Sequence, residues 1–314
     1  PNQGLSIFTV MSALAAKHNA INLSQGFPEF NPPDDLIRKV NESLLSGRNQ
    51  YSPMAGQLSL REVIAERQNA WGRSFEINPD TDITIVPGAT AGLFATFQAL
   101  VQQGEEVIIF DPSYDSYAPA IVLAGGIPIR IPLNQDFSMP WEQLKSKLSN
   151  RTAIIVVNTP HNPLGLVFSQ ADWLELALII QNTDILVLSD EVYEHMVFDE
   201  KQHVSVLQIP ALANRAVSIS SFGKTFHATG WKLGYVTAKA ELSAEIRKVY
   251  QFLAFAANTP MQFAAAEFLM QNPEYETSVS EIMQSKRNFF ADGLSQSRFQ
   301  LLPCEGAYFQ IVDY

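Results

Sequence analysis

The sequence predicts an α/β fold of three layers, with helices on both faces of a mostly parallel central sheet. Two observations carry this. Short apolar runs, nearly continuous, occupy residues 82–86, 107–110, 127–131, 153–157, 184–189 and 216–220. Helical stretches separate several of them, at 91–103, 116–124, 141–148 and 170–181. Strands covered on both faces read as unbroken apolar runs, and parallel neighbours need a long crossover, usually a helix. A third observation says where a ligand would sit. The unusual polar residues follow the runs: Gly88-Ala89-Thr90, Asp111-Pro112-Ser113-Tyr114, residues 158–162, Asp190, and residues 220–224. Open parallel sheets bind ligands beyond the carboxyl ends of their strands, so these five exits are expected to face one crevice.

The remaining elements follow in order. Residues 1–50 read as loops and one amphipathic helix, punctuated by Gly26, Pro28, Pro32 and Pro33. After residue 243 the pattern is mainly helical to 299, then strand-like from 301 and again from 308. Repeats, low-complexity tracts and flexible linkers are absent from the pattern. At 314 residues the chain is long enough for two domains or one large one, and for a core that needs no disulfides.

Composition narrows the function classes. Lys and Arg total 21 against 32 Asp and Glu, a net charge of −11, which argues against a nucleic-acid partner. Cys304 is the single cysteine, so no internal disulfide and no cysteine zinc site can form. No metal is expected, and a reducing cytoplasm is the default. Residues 83–104 carry no charge, but Pro87, Gly88, Gln98, Gln102 and Gln103 interrupt them as a membrane span. The first residues lack the basic start of a signal peptide. Because the chain does not begin with Met and ends on a strand-like run, it is expected to be part of a longer one.

Several motifs fail. Gly223-Lys224-Thr225 resembles the end of a phosphate loop, but position 218, where the first glycine belongs, is Ser. The dinucleotide fingerprint, the nucleophile elbow and the zinc-peptidase helix are also missing, and the five histidines show no ligand spacing.

Other residues carry chemistry. Gly88-Ala89-Thr90-Ala91-Gly92 stands where a strand hands over to a helix. Free N–H groups and the helix dipole make a phosphate seat there, and Thr90 adds a hydroxyl. The same residues also suit an ordinary helix cap. Lys224 follows an apolar run in Ser220-Ser221-Phe222-Gly223-Lys224. A lysine desolvated in a crevice can lose its proton and form a Schiff base with a carbonyl, whereas most lysines are solvated surface charges. Lys232 could supply a second positive charge for a phosphate. Asp190 places a carboxylate at the end of a buried run, where a protonated ring nitrogen would satisfy it, as would a capping role. The turn at 158–165 holds two amides between prolines, and Asn162 could donate to a phenolic oxygen. Tyr114 offers an aromatic face for stacking, though a core position suits it equally.

In this combination and order the residues resemble the fold-type-I, pyridoxal-phosphate-dependent aminotransferases of classes I and II, over essentially the whole chain. The resemblance rests on the Ser-Gln-Gly-Phe-Pro at 24–28, Gln50-Tyr51-Ser52-Pro53, the Gly-Ala-Thr, the Asn-Thr-Pro-His-Asn-Pro at 158–163, Ser189-Asp190-Glu191-Val192-Tyr193, and Ser-Ser-Phe-Gly-Lys-Thr at 220–225. The runs at 110–120 and 302–306 support a place among bacterial methionine aminotransferases, near the kynurenine and glutamine transaminases. The resemblance implies the following roles. Lys224 would hold pyridoxal 5'-phosphate as a Schiff base and move the proton. Asp190 would pair with the ring nitrogen. Tyr193 and Asn162 would bond the phenolic oxygen and Tyr114 would stack on the ring. Ala89, Thr90, Ser221 and Lys232 would hold the phosphate, with Tyr51 reaching in from the second subunit of a homodimer. Gly26 and Asn162 would bind substrate.

It further implies a large cofactor domain over 27–275 and part of a small domain from 1–26 and 276–314, whose remainder, with a carboxylate-binding Arg, is expected beyond Tyr314. Where many relatives carry Arg on the phosphate, Lys232 keeps the charge and loses the bidentate fork. The implied reaction is ping-pong transfer of an amino group from methionine, or another bulky apolar or aromatic amino acid, to a 2-oxo acid. A cysteine-conjugate β-lyase with the same cofactor is the alternative, and a non-catalytic sensing domain is a third.

Overall fold

The computed structural model describes residues 6–24, 26 and 28–314; Gln25 and Phe27 of the 24–28 motif, and residues 1–5, lie outside them. Seven strands build the central sheet: β1 (Ile83–Val86), β2 (Glu106–Asp111), β3 (Ile127–Pro132), β4 (Thr152–Asn158), β5 (Leu186–Asp190), β6 (Ala216–Ser221) and β7 (Gly234–Ala238). Their order is β1-β7-β6-β5-β4-β2-β3. The helices are α1 (Ile7–His18), α2 (Asp34–Leu45), α3 (Leu58–Ala70), α4 (Ala89–Leu100), α5 (Tyr117–Leu123), α6 (Trp141–Lys147), α7 (Gln170–Ile180), α8 (Pro210–Ala213), α9 (Phe222–Thr225), α10 (Ala240–Leu253), α11 (Thr259–Gln271) and α12 (Tyr275–Leu294). A small ribbon, β8 (Gln300–Leu301) with β9 (Val312–Asp313), follows α12.

Successive strand side chains point to opposite faces, so each apolar run feeds two cores. Ile83, Ile85, Ile108, Phe110, Ile155, Val157 and Val187 pack with α2, α3, α6, α7 and α11 through residues such as Leu36, Leu60, Leu144, Trp173 and Phe268. Val86, Val107, Ile109, Ile154, Val156, Leu188, Val217 and Ile219 pack with α4, α5 and α10 through Leu93, Phe97, Ile121, Ile246 and Tyr250. These are the three expected layers. A separate apolar cluster joins Met196 and Phe198 to Val279 and Met283 of α12 and to Cys304 and Ala307.

All six expected strands form, and each runs parallel to the others. The seventh, β7, was not foreseen, and it runs antiparallel to both β1 and β6. Between β6 and β7 stand only the one-turn α9 and a short 3₁₀ turn at Thr229–Trp231. Residues 222–233 hold no helix long enough to run back along the sheet, so the strand turns straight back. Two further differences are small. The described residues of 1–50 hold two helices rather than one, and pairing near the end begins at Val312 rather than at 308. Among the described residues no helix is long and apolar enough to cross a membrane.

Gly234 makes the reversal possible. A Cβ there would lie 2.6 Å from the Ser220 carbonyl oxygen and 3.1 Å from the Ala89 nitrogen, so the bare backbone lets three strand ends meet. Gly234→Ala is expected to cost about 2–3 kcal/mol through overpacking. Gly293→Ala, where nothing lies within 4 Å, is expected to be neutral or slightly stabilising. Denaturant midpoints of the two variants check this, and an undiminished midpoint for Gly234→Ala would refute the packing argument.

Candidate active site

The five expected strand exits do converge. Beyond the ends of β1, β2, β4, β5 and β6 lies a cavity of about 340 Å³ lined by Ala89, Thr90, Tyr114, Asn162, Asp190, Tyr193, Ser221, Lys224 and Lys232. These are nine of the eleven residues singled out from sequence. Gly26 stands beside this group, where a Cβ would come within 2.6 Å of the Phe309 ring and 2.7 Å of Tyr308. Tyr51 does not line the cavity; it is 83% exposed, edge-on to Phe255.

One side of the cavity is cationic. Gly88, at φ +82°, opens α4, and the Lys232 ammonium sits 3.1 Å from where a Gly88 Cβ would be. Lys232 itself has a left-handed backbone, φ +53°, as the chain turns from the 3₁₀ segment into β7. The positive end of α4, the hydroxyls of Thr90 and Ser221 and the Lys232 ammonium line the same space. Thr90 Oγ1 lies 3.4 Å from the Tyr114 hydroxyl.

The opposite side is acidic, and the chain holds it tightly. Asp190 ends β5 and pairs in register with Asn158 of β4. Its carbonyl accepts from the Asn158 side chain at 2.9 Å and from the Thr159 N–H at 3.0 Å. Its carboxylate accepts the Tyr117 hydroxyl at 2.6 Å and, weakly, the Val192 N–H at 3.4 Å. Burial raises this carboxyl to about 6, against the Tyr117 bond and Lys224, which pull it down. Next in sequence, Glu191 behaves oppositely. Burial would raise it too, but the bonds to His203 and to the Val206 N–H, with Arg73 nearby, hold it at about 2. Two adjacent carboxylates are thus pushed apart by their surroundings: Glu191 is locked into structure and Asp190 is left facing the cavity.

The turn at 158–163 is braced from two directions. The Asn162 N–H donates to the Asn158 side chain at 2.7 Å, and the His161 N–H donates to the Leu166 carbonyl at 2.8 Å. Burial lowers His161 to about 4, so the imidazole is neutral at physiological pH. Tyr193 is buried, and its phenol is pushed up by burial and by Tyr308.

Two residues of the site were not foreseen. Tyr117 stands three positions after Tyr114 in the run at 110–120, and nothing in its spacing says that its hydroxyl meets Asp190. Tyr308 accepts the Lys224 ammonium at 2.6 Å, although 84 positions separate them. The Gly306-Ala307 step before it, a turn signal ahead of an aromatic pair, is the only local hint.

The profile of the family "Aminotransferase class I and II" matches residues 18–314. The chain belongs to this family. A methionine aminotransferase of Escherichia coli is 49% identical over 316 residues, covering 100% of this chain and 81% of that protein. The human kynurenine–oxoglutarate transaminase 1 is 35% identical, covering 96% of this chain and 76% of its own. The solved structure of an Escherichia coli protein identified as a methionine aminotransferase superposes with a TM-score of 0.97, at 49% identity, over 100% of this chain and 82% of that one. The protein is a pyridoxal-phosphate-dependent aminotransferase of fold type I.

The residues present fit that cofactor. A buried carboxylate that accepts only a phenol and one long N–H bond has room for a pyridinium N–H. A lysine faces it across the cavity, and a helix terminus with a second ammonium suits a phosphate.

Asp190 makes a prediction about the cofactor-free protein. Its folded value near 6 exceeds the usual 3.8, so the stability it contributes is complete below pH 4 and is lost as pH rises through 6. Two units correspond to about 3 kcal/mol. Asp190→Asn removes this cost at the expense of the Val192 bond, and is expected to stabilise the cofactor-free protein by about 1–2 kcal/mol at pH 7.5 and by almost nothing at pH 4. Urea midpoints at both pH values test it; a gain independent of pH would contradict the burial argument.

Proposed function

We propose that the protein moves the α-amino group of methionine, or of another bulky apolar or aromatic amino acid, to a 2-oxo acid by a ping-pong mechanism through a Schiff base on Lys224. The observation that carries this is one cavity with an unpaired buried carboxylate, Asp190, a reachable lysine, Lys224, and a cationic cradle at the start of α4. Methionine is favoured because the Escherichia coli relative of that name is 49% identical along the whole chain.

Pyridoxal phosphate, when bound, supplies an aldehyde that takes up the amino group and a ring that draws electrons from the substrate Cα. The protein does the rest. Ala89, Thr90, Ser221 and Lys232 would anchor the phosphate. Asp190 would keep the ring nitrogen protonated, the role for which its burial and the Tyr117 bond prepare it. Tyr193 and Asn162 would donate to the phenolic oxygen, and Tyr114 would cover one ring face. Lys224 Nζ, freed when the substrate amine takes its place, would accept the proton from Cα and return it one position along. Gly26 and Asn162 would border the substrate carboxylate.

In the same reading residues 27–275 form the cofactor domain, and 1–26 with 276–314 belong to a smaller one. The apolar cluster that joins Met196 and Phe198 to Val279, Met283 and Cys304 would then be the seam between the two. A homodimer is part of the proposal. Tyr51 and Phe252 are more than 80% exposed, and α1 exposes Ile7, Val10 and Leu14 with no buried residue of its own. Apolar surface on this scale fits a second copy, which would bring its Tyr51 to the phosphate of this one. Residence in the cytoplasm also belongs to the proposal, supported by the free buried thiol of Cys304.

Two experiments test this reading. The purified protein with pyridoxal phosphate is expected to show a visible band that bleaches with methionine and returns with a 2-oxo acid. Lys224→Ala should lose at least about 10³-fold in turnover, and full turnover without the lysine would end the proposal. For the dimer, Lys224→Ala and Tyr51→Phe proteins, each impaired alone, are mixed. Each hybrid dimer then contains one intact site, so activity should rise on mixing. No rise, with hybrids demonstrated by native mass spectrometry, would mean that Tyr51 acts within its own chain or not at all.

A further inference from the structure

We infer that the Tyr308 hydroxyl is the docking point of the Lys224 amine whenever that amine is not bonded to the cofactor, making Tyr308 a positioning residue that sets when the amine can react. The inference rests on the aminotransferase reading and adds to it a residue that the reading does not use. The contact is short, 2.6 Å from Nζ to the phenolic oxygen, and the donor is an ammonium. The titratable groups around Nζ come from five places: Asp190 at the end of β5, Tyr193 after it, Tyr114 after β2, Lys232 before β7, and Tyr308. Of these Tyr308 takes the hydrogen bond. Tyr193 presents its ring 5.3 Å away, Asp190 acts through its charge, and the Tyr193 and Tyr308 rings meet edge-on at 5.2 Å.

The chain segment that carries Tyr308 is built to aim it. Ala307 is fully buried yet has φ +61°, a left-handed backbone that costs a residue with a Cβ about 1–2 kcal/mol. Its N–H donates to the Met196 carbonyl at 2.8 Å, and the Glu305 carbonyl accepts from the Phe198 N–H at 2.8 Å. On the far side the Cys304 thiol donates to the Phe309 carbonyl at 3.1 Å, and the Glu305 N–H donates to the Gly165 carbonyl at 2.8 Å. Gly306 is required at the crossing, since a Cβ there would meet the Met196 oxygen at 2.5 Å. A strained residue held from several sides, immediately before a side chain that contacts the reactive lysine, points to function rather than to packing. Gly26 completes the enclosure by letting the Tyr308 ring lie against bare backbone.

The consequence concerns the path of the amine. While the phenol holds Nζ, the nitrogen is turned toward Tyr308, and that bond has to break before Nζ can meet an aldehyde. Pyridoxal phosphate, when bound, would supply that aldehyde, and Schiff-base formation with Lys224 would release water.

The test is the rate at which cofactor-free protein captures pyridoxal phosphate, followed at pH 7.5 as growth of the visible band. In Tyr308→Phe capture is expected to be about fivefold faster than wild type, because no phenol holds the amine. After loading, kcat should fall while KM for methionine stays within about twofold. Ala307→Gly relaxes the aim and should raise the capture rate by less, which keeps the idea testable if Tyr308→Phe does not fold. A capture rate equal to wild type in both variants overturns the inference, whatever happens to stability or kcat. Wild-type protein that captures no pyridoxal phosphate at any pH would instead overturn the aminotransferase reading.

Discussion

The site depends on one constraint: a carboxylate buried at the end of the central strand without a cation of its own. β5 is the fourth of seven strands, so Asp190 cannot escape to solvent sideways. Ionising it there is costly, and the neighbouring backbone is arranged so that the cost stays tolerable without being cancelled. The Asn158 amide and the Thr159 N–H hold its carbonyl, which fixes the backbone, while the Tyr117 hydroxyl and the Val192 N–H give its oxygens partial support. A complete set of partners would have made Asp190 another Glu191, ionised and inert. The incomplete set leaves a group that gains most from a ring N–H.

The cationic half of the site is a product of topology. β7 returns antiparallel because the chain between β6 and β7 holds no helix long enough to run back along the sheet, and that return brings Lys232 beside Gly88 at the start of α4. Two glycines permit it. Gly88 adopts φ +82°, and Gly234 lets the incoming strand touch the Ser220 carbonyl and the Ala89 nitrogen. The positive charges of the phosphate seat thus come from residues more than 140 positions apart, joined by a seven-residue turn, 227–233, that contains two left-handed non-glycine residues, His227 and Lys232.

How much of this was legible in the sequence follows the range of each interaction. The layers and six strands could be read because apolar runs report burial locally. The polar strand exits could be read as a site because parallel topology brings such exits together. β7 could not, since its five residues, opening on Gly, look like the loops around them; it is a strand because β1 and β6 leave a gap for it. Tyr51 was expected at the site only from a second subunit, and one chain shows it exposed and outside its own cavity. Tyr117 and Tyr308 were missed for a shared reason. Each acts through one hydroxyl on a residue 73 or 84 positions distant, and neither leaves a periodicity, a charge or a spacing behind.

Those two tyrosines resolve what would otherwise be a conflict. Lys224 and Asp190 share a cavity and carry opposite formal charges, and a direct pair between them would satisfy both and close the site to the cofactor. A buried pair of that kind holds its geometry because breaking it strands two charges. Instead Tyr308 takes the ammonium and Tyr117 takes the carboxylate, each through a neutral phenol at 2.6 Å. A phenol is a weaker partner than an opposite charge, so the ammonium is easily released and the carboxylate keeps room for a further donor. The charges remain apart and individually supported. Such preorganisation lowers the cost of binding, because the groups need not be pulled from one another first.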